Sequence, residues 1–139
     1  MFGKILVPVD LQDVHDPTLG CARQMLDANR GTLVLLHVIE RIPGMSETGG
    51  NGFYHELEER ARKHLDRLAA RWQAPGCRVE TQIRYGHRPA EIVSYASQIE
   101  ADLIMLTSHR IEAGSAAQRW DTLSYQVGFL AQCPVFLMK

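Results

Sequence analysis

Four short runs, Ile5–Val9, Leu33–Val38, Leu103–Leu106 and Val135–Met138, are apolar at nearly every position. A strand with one wet face would alternate apolar and polar residues, and these do not. They read as parallel strands covered by helices on both faces. A fifth run, Val79–Tyr85, mixes polar and apolar residues and suits a strand near the sheet edge.

Helical spacing fills the intervals. Pro17 to Asn29 sets Leu19, Ala22, Met25 and Leu26 on one face. Asp16 reads as its N-cap, with Pro17 at the first helical position, and Asn29-Arg30-Gly31 as a glycine-capped end. Tyr54 to Trp72 repeats Leu57, Ala61, Leu65, Leu68, Ala69 and Trp72 until Pro75-Gly76 breaks it. Pro89 to Ser97 carries Ile92, Val93 and Ala96. Thr122 to Ala131 carries Leu123, Val127 and Leu130, with Asp121 as its N-cap. Between the second strand and the long helix, Ile42 to Phe53 holds Gly44, Gly49, Gly50 and Gly52 and reads as a mobile loop.

Strand and helix therefore alternate from end to end. The expected fold is α/β: a doubly wound five-stranded parallel sheet with helices on both faces, built as a single domain over residues 1–139. A chain of 139 residues can bury a full core.

Charge and cysteine content exclude several roles. The formal net charge is -1, and Arg60 to Lys63, Arg67 and Arg71 alternate with acidic residues, so no basic face recruits nucleic acid. Cys21, Cys77 and Cys133 are far apart and lack C-x-x-C spacing, which fits a reducing cytoplasm and neither a zinc site nor a disulfide framework. No apolar run approaches the length of a membrane helix, so no membrane insertion is expected.

In a doubly wound sheet, ligands sit at the carboxyl ends of the strands. Those ends are Pro8 to Asp10, Val38 to Glu40, Tyr85 to Arg88 and Thr107 to Arg110. Asp10 reads either as an acceptor for a ribose hydroxyl or adenine amine, or as an Asx-turn leaving the strand. Gly86 permits a close ligand approach and equally a plain turn. Thr107-Ser108-His109-Arg110 offers hydroxyls and a guanidinium but none of the glycines that bare backbone amides toward phosphate. If Asp121 faced a phosphate it would repel it by about 4 kcal/mol at 4 Å and an effective dielectric near 20.

The histidines are His15, His37, His55, His64, His87 and His109, and none forms a close ligand-spaced pair. His37 reads as a hydrogen-bonded structural residue inside a strand, and His55 and His64 as surface residues of the long helix. No G-x-S-x-G elbow is present, so no catalytic residue and no metal site is assigned.

The whole chain resembles the universal stress protein family. The likeness rests on Lys4-Ile5-Leu6-Val7-Pro8-Val9-Asp10, Leu35-Leu36-His37-Val38, and Gly86-x-x-Pro89-x-x-Ile92. It continues through Ala101-Asp102-Leu103-Ile104-Met105-Leu106-x-Ser108-His109 and ends at Cys133-Pro134-Val135. The resemblance implies strand order 3-2-1-4-5 and a homodimer built by pairing the last strands, through Pro134, Val135, Phe136, Leu137 and Met138. ATP-binding members carry glycine, two residues, glycine, nine residues, then glycine and serine or threonine. Here Thr107 and Arg110 occupy the first two glycine positions. Trp120-Asp121, or Asp121-Thr122 with a one-residue insertion, occupies the last pair. Gly114-Ser115 lies too close to Arg110 to replace it.

The nucleotide-site positions implied are Pro8, Asp10, Val38, Gly86, Leu106, Thr107, Ser108, His109, Arg110 and Thr122. Two functions follow. The first is a non-catalytic dimeric stress-response or regulatory protein that acts through a protein partner and requires no cofactor. The alternative is an adenine-nucleotide binder, for AMP or ATP, with a modified phosphate loop. Flavodoxin-like proteins and response regulators fit less well. Leu11 to Asp16 lacks a Ser/Thr/Gly-rich phosphate loop, and the third strand ends in Tyr85-Gly86 where a phosphoacceptor Asp would stand.

Overall fold

A computed structural model of the chain describes residues 1–12, 15–43, 51–108 and 122–139. The elements are β1 (Lys4–Pro8), α1 (Asp16–Met25), β2 (Gly31–Ile39), α2 (Asn51–Trp72), β3 (Cys77–Tyr85), α3 (Arg88–Gln98), β4 (Leu103–Thr107), α4 (Leu123–Leu130) and β5 (Val135–Met138). All strand pairs are parallel, in the order β3-β2-β1-β4-β5. β1 is central, with Leu6 opposite Val34 on one side and Ile104 on the other. The mixed strand β3 lies at one edge, as its composition predicts, and β5 at the other.

The apolar runs have a simple cause. Successive side chains of a strand point to opposite faces, and both faces are covered. Ile5, Val7, Leu33, Leu35, Leu103 and Met105 pack under Leu19 and Ala22 of α1 and Leu65 and Leu68 of α2. Leu6, Val34, Leu36, Ile104 and Leu106 pack under Ile92 and Ala96 of α3 and Val127 of α4. Asp102 fixes the start of the centre: its Oδ2 accepts from the N–H groups of Gly3 at 3.0 Å and Lys4 at 2.8 Å.

Local signals mislead at several helix ends. His15, not Asp16, stands at the N-cap position of α1, without a side-chain cap bond, and the Asp16 carboxylate turns to Arg71 of α2, 2.8 Å away. α1 also stops at Met25, four residues before Asn29. Asp27 makes the turn, its Oδ1 accepting from the N–H groups of Asn29 and Arg30, and Gly31 opens β2 rather than closing the helix. Thr122, not Asp121, caps α4, its hydroxyl accepting from the Tyr125 N–H at 3.4 Å. α2 begins at Asn51, so Gly52 and Phe53 belong to the helix and not to the loop. His55 is exposed as expected, but His64 is only 5 % exposed. Gly44, Gly49, Gly50, His109, Arg110, Gly114, Ser115, Trp120 and Asp121 lie outside the described residues.

Candidate functional site

Chain order reverses between β1 and β4: β1 leads to β2 and β3, and β4 leads to β5. A crevice forms at the carboxyl ends of strands flanking such a reversal. It is lined here by Pro8, Val9 and Asp10 beyond β1, Leu36 and Val38 of β2, and Leu106 and Thr107 of β4. His15, Arg88, Ile92 and Leu123 close it from the helices. The space is small, about 70 Å³. A wider cleft lies at the opposite end of the sheet, where the turns Asn29–Thr32 and Gln73–Arg78 meet, away from the strand ends that bear Asp10 and Thr107.

A chain of polar groups crosses the α1 side of the crevice. His15 Nε2 is 2.8 Å from Asp10 Oδ1, and His15 Nδ1 is 2.9 Å from Thr107 Oγ1. Thr107 Oγ1 is in turn 2.6 Å from Thr18 Oγ1. His15 is 6 % exposed and Thr18 is fully buried, so neither relies on bulk water for its partner. Both ring nitrogens of His15 are thus engaged, Nε2 at Asp10 and Nδ1 at Thr107. The Asp10 backbone N–H also donates to Nε2 at 3.2 Å, so the ring covers that amide.

Asp10 makes the Asx-turn that its position suggests. Oδ1 accepts from the Gln12 N–H at 3.0 Å, which is an Asx-turn, while the side chain stays 47 % exposed at the crevice. Burial raises its pKa, but the bonds from His15 and the Gln12 amide, with the positive fields of His15 and Arg88, outweigh it and hold the carboxyl below its ordinary range. Asp10 is therefore ionised at neutral pH. His37 hangs behind it, its Nδ1–H donating to the Val9 carbonyl at 2.9 Å. Burial, aided by the Arg88 charge and His64, lowers the His37 pKa against the opposing pull of the Val9 bond and Asp10.

Four backbone amides at the described strand ends are engaged. Val9 N–H donates to the Leu36 carbonyl, and Ser108 N–H to the Met138 carbonyl at 2.7 Å. Gly86 N–H donates to the Ile39 carbonyl, and Arg88 N–H to Glu40 Oε1 at 3.1 Å.

The crevice thus brings together Pro8, Asp10, Val38, Leu106 and Thr107 of the positions anticipated from sequence. Gly86, with φ +145°, makes the turn into α3 behind the lining, Ser108 faces β5, and Thr122 caps α4 one residue before Leu123 enters the wall. His109 and Arg110 are outside the described residues. Sequence reasoning missed His15, and placed Arg88 at a strand end without naming it among the site positions. Arg88 was legible as the residue immediately before Pro89. His15 also bonds Asp10 nearby, but the partner that holds it in the crevice, Thr107, is 92 residues away.

Parallel sheet order, two helical layers and a crevice at the strand reversal define a doubly wound α/β protein. The chain belongs to the universal stress protein family, whose sequence profile matches residues 1–139. It is 25 % identical to the universal stress protein YxiE of Bacillus subtilis, over all of both chains. Among solved structures it resembles hypothetical protein MJ0577, with a TM-score of 0.82, 23 % identity and coverage of 100 % of this chain and 96 % of that one. A universal stress protein family protein from Arabidopsis thaliana, solved with AMP bound, has a TM-score of 0.69 at 17 % identity, covering 98 % of this chain and 90 % of that one.

Proposed function

We propose that this chain is a non-catalytic, regulatory universal stress protein that works as a homodimer with a protein partner, and that it does not hold ATP in a glycine-loop manner. The observation that carries this reading is Thr107. Its hydroxyl is committed to His15 and Thr18, so the position that would have to be bare is a cross-link between β4 and α1. The dimer would form at β5, an edge strand with Phe136 and Leu137 both more than one-third exposed. A twin strand would satisfy that edge and cover both side chains.

Two measurements test it. Sedimentation velocity should return a dimer, and Leu137→Lys should return a folded monomer; a monomeric wild type overturns the dimer. Millimolar MgATP should leave the melting temperature unchanged, because only a ligand of the native state raises it. A rise of several degrees overturns the reading.

One observation favours a second reading, a site for an adenine nucleoside or its monophosphate. Asp10 is ionised, and its Oδ2 has no partner among the described residues. An acceptor held open beside the apolar walls Val38, Ile92 and Leu123 suits a nucleoside, and the AMP-bound Arabidopsis relative supports this. Adenosine or AMP would then raise the melting temperature where MgATP does not.

A further inference from the structure

We propose that the cleft at the amino ends of β2 and β3 is a second ligand site, for a small polyanion that carries two or more phosphate or carboxylate groups and bridges Arg30 and Arg78. It stands apart from the crevice and rests on neither reading above.

The cleft lies where the turn Asn29–Thr32 meets the turn Gln73–Arg78. Its volume of about 460 Å³ falls among small-molecule sites, which run from about 300 to 1,000 Å³. Both turns are pinned by their own backbones. Asp27 Oδ1 accepts from the N–H groups of Asn29 and Arg30, and the Gly31 N–H donates to the Asp27 carbonyl at 3.0 Å. In the other turn Ala74 and Cys77 exchange backbone bonds, and the Val79 N–H donates to Gln73 Oε1 at 3.1 Å. Gly76, at φ +81°, brings that turn against the Ala28 carbonyl, where a Cβ would collide. The cleft is therefore formed before any ligand arrives.

The residues that line it include two arginines and no carboxylate. Gly31 and Cys77 are register partners of β2 and β3. Arg30 stands immediately before that pair and Arg78 takes the next register position, so the two cations occur side by side on adjacent strands. Among the described residues the Arg30 guanidinium has no ion-pair partner. Arg78 reaches only Glu80, at 3.8 Å and with both side chains more than half exposed, a pairing that holds it weakly. Arg23 adds a third positive charge: burial raises the Cys77 thiol, and the Arg23 field opposes it. Asp27 is adjacent but engaged, Oδ1 by two amides and Oδ2 by the terminal ammonium at 3.9 Å. Gln73 has committed its oxygen to Val79, so its amide keeps donors only, and Asn29 supplies more. Donors and unbalanced positive charge are what phosphate and carboxylate require, and a guanidinium matches both in a bidentate manner. Two guanidiniums in one cleft favour a ligand with two anionic groups over a ligand with one.

The test is calorimetric titration of the full chain, at fixed ionic strength, with inorganic pyrophosphate, citrate and inorganic phosphate. Pyrophosphate or citrate should bind saturably and about tenfold or more tightly than inorganic phosphate, and the tighter of the two names the anionic group. Arg30→Gln and Arg78→Gln should each weaken that binding by about tenfold. Both side chains are exposed, so thermal unfolding of the free protein should not move. Arg60→Gln, at an exposed position of α2, should leave binding intact. Failure of both polyanions to bind overturns the inference, and so does binding that survives both cleft substitutions. An equal loss in Arg60→Gln, or inorganic phosphate binding as tightly as the polyanions, also overturns it, because anions would then be gathering on surface cations at large.

Discussion

His15 Nδ1 lies 2.9 Å from Thr107 Oγ1, tying the start of α1 to the end of β4 across the reversal in the sheet. Where the family's ATP-binding members are implied to have glycine, this chain has built a strut.

Removing the strut's hydroxyl leaves two buried polar groups without their partner. Thr107→Val keeps the shape but strands His15 Nδ1 and Thr18 Oγ1, and should cost about 1–3 kcal/mol in urea unfolding. Thr107→Gly should cost no less and should not by itself confer ATP binding, because the His15 ring still covers the Asp10 amide. A double-mutant cycle with His15→Ala should give a coupling of about 0.5–3 kcal/mol. Additive behaviour would mean that the 2.9 Å contact is incidental.

Gly86 is required by its backbone. At φ +145° a side chain is strained, and a Cβ there would stand 2.7 Å from Glu91 Oε1. Glu91 cannot yield easily, since its Oε2 accepts from Arg84 Nε at 2.7 Å. Gly86→Ala should destabilise by about 1–3 kcal/mol, read as a lower urea midpoint with an unchanged slope.

Asp102 accepts two amides at the start of β1, from a position beside β4. Asp102→Ala leaves both donors to water at the edge of the central strand and should cost about 1–2 kcal/mol, with Asp102→Asn recovering part of it. Hydrogen exchange at Gly3 and Lys4 should quicken in the alanine variant; unchanged protection there would refute the assignment.

The depressed His37 pKa fixes a direction for pH. As pH falls through about 6.5 the unfolded chain takes up a proton that the folded chain refuses. The unfolded state binds more protons in that window, so stability declines from there until folded His37 itself protonates. Above about pH 6.5 the full contribution is present. His37→Gln should flatten the decline relative to wild type, and the His37 ring resonances should titrate below the ordinary histidine range. A resonance that titrates above it would reverse the sign.

Much of this molecule is legible in its sequence, for a physical reason. A strand buried on both faces has no polar positions to hide, so Ile5–Val9 and Leu33–Val38 announce themselves. The mixed run at β3 announces an edge in the same way. Helix ends are harder, because a cap is a competition. Asp16 has the chemistry of a cap, yet Arg71 from another helix takes its carboxylate. His64 could have been found: with Ala61, Leu65 and Leu68 it falls on the spacing of a buried stripe. His15 could not, since its role depends on which strand the topology sets beside β1.

Strand order also carries a timetable. β1 finds β2 a short distance along the chain, but its other edge stays open until β4 arrives with residues 103–107. During synthesis from the N-terminus, an emerging chain of three strands and their helices therefore has its central strand on the outside, exposed to any passing strand or chaperone. Thr107 is the last residue of β4, and its bond to His15 closes the gap. Contacts of such sequence separation are slow to form, so the crevice exists only once that insertion is complete, and occupancy of the site would report a finished fold.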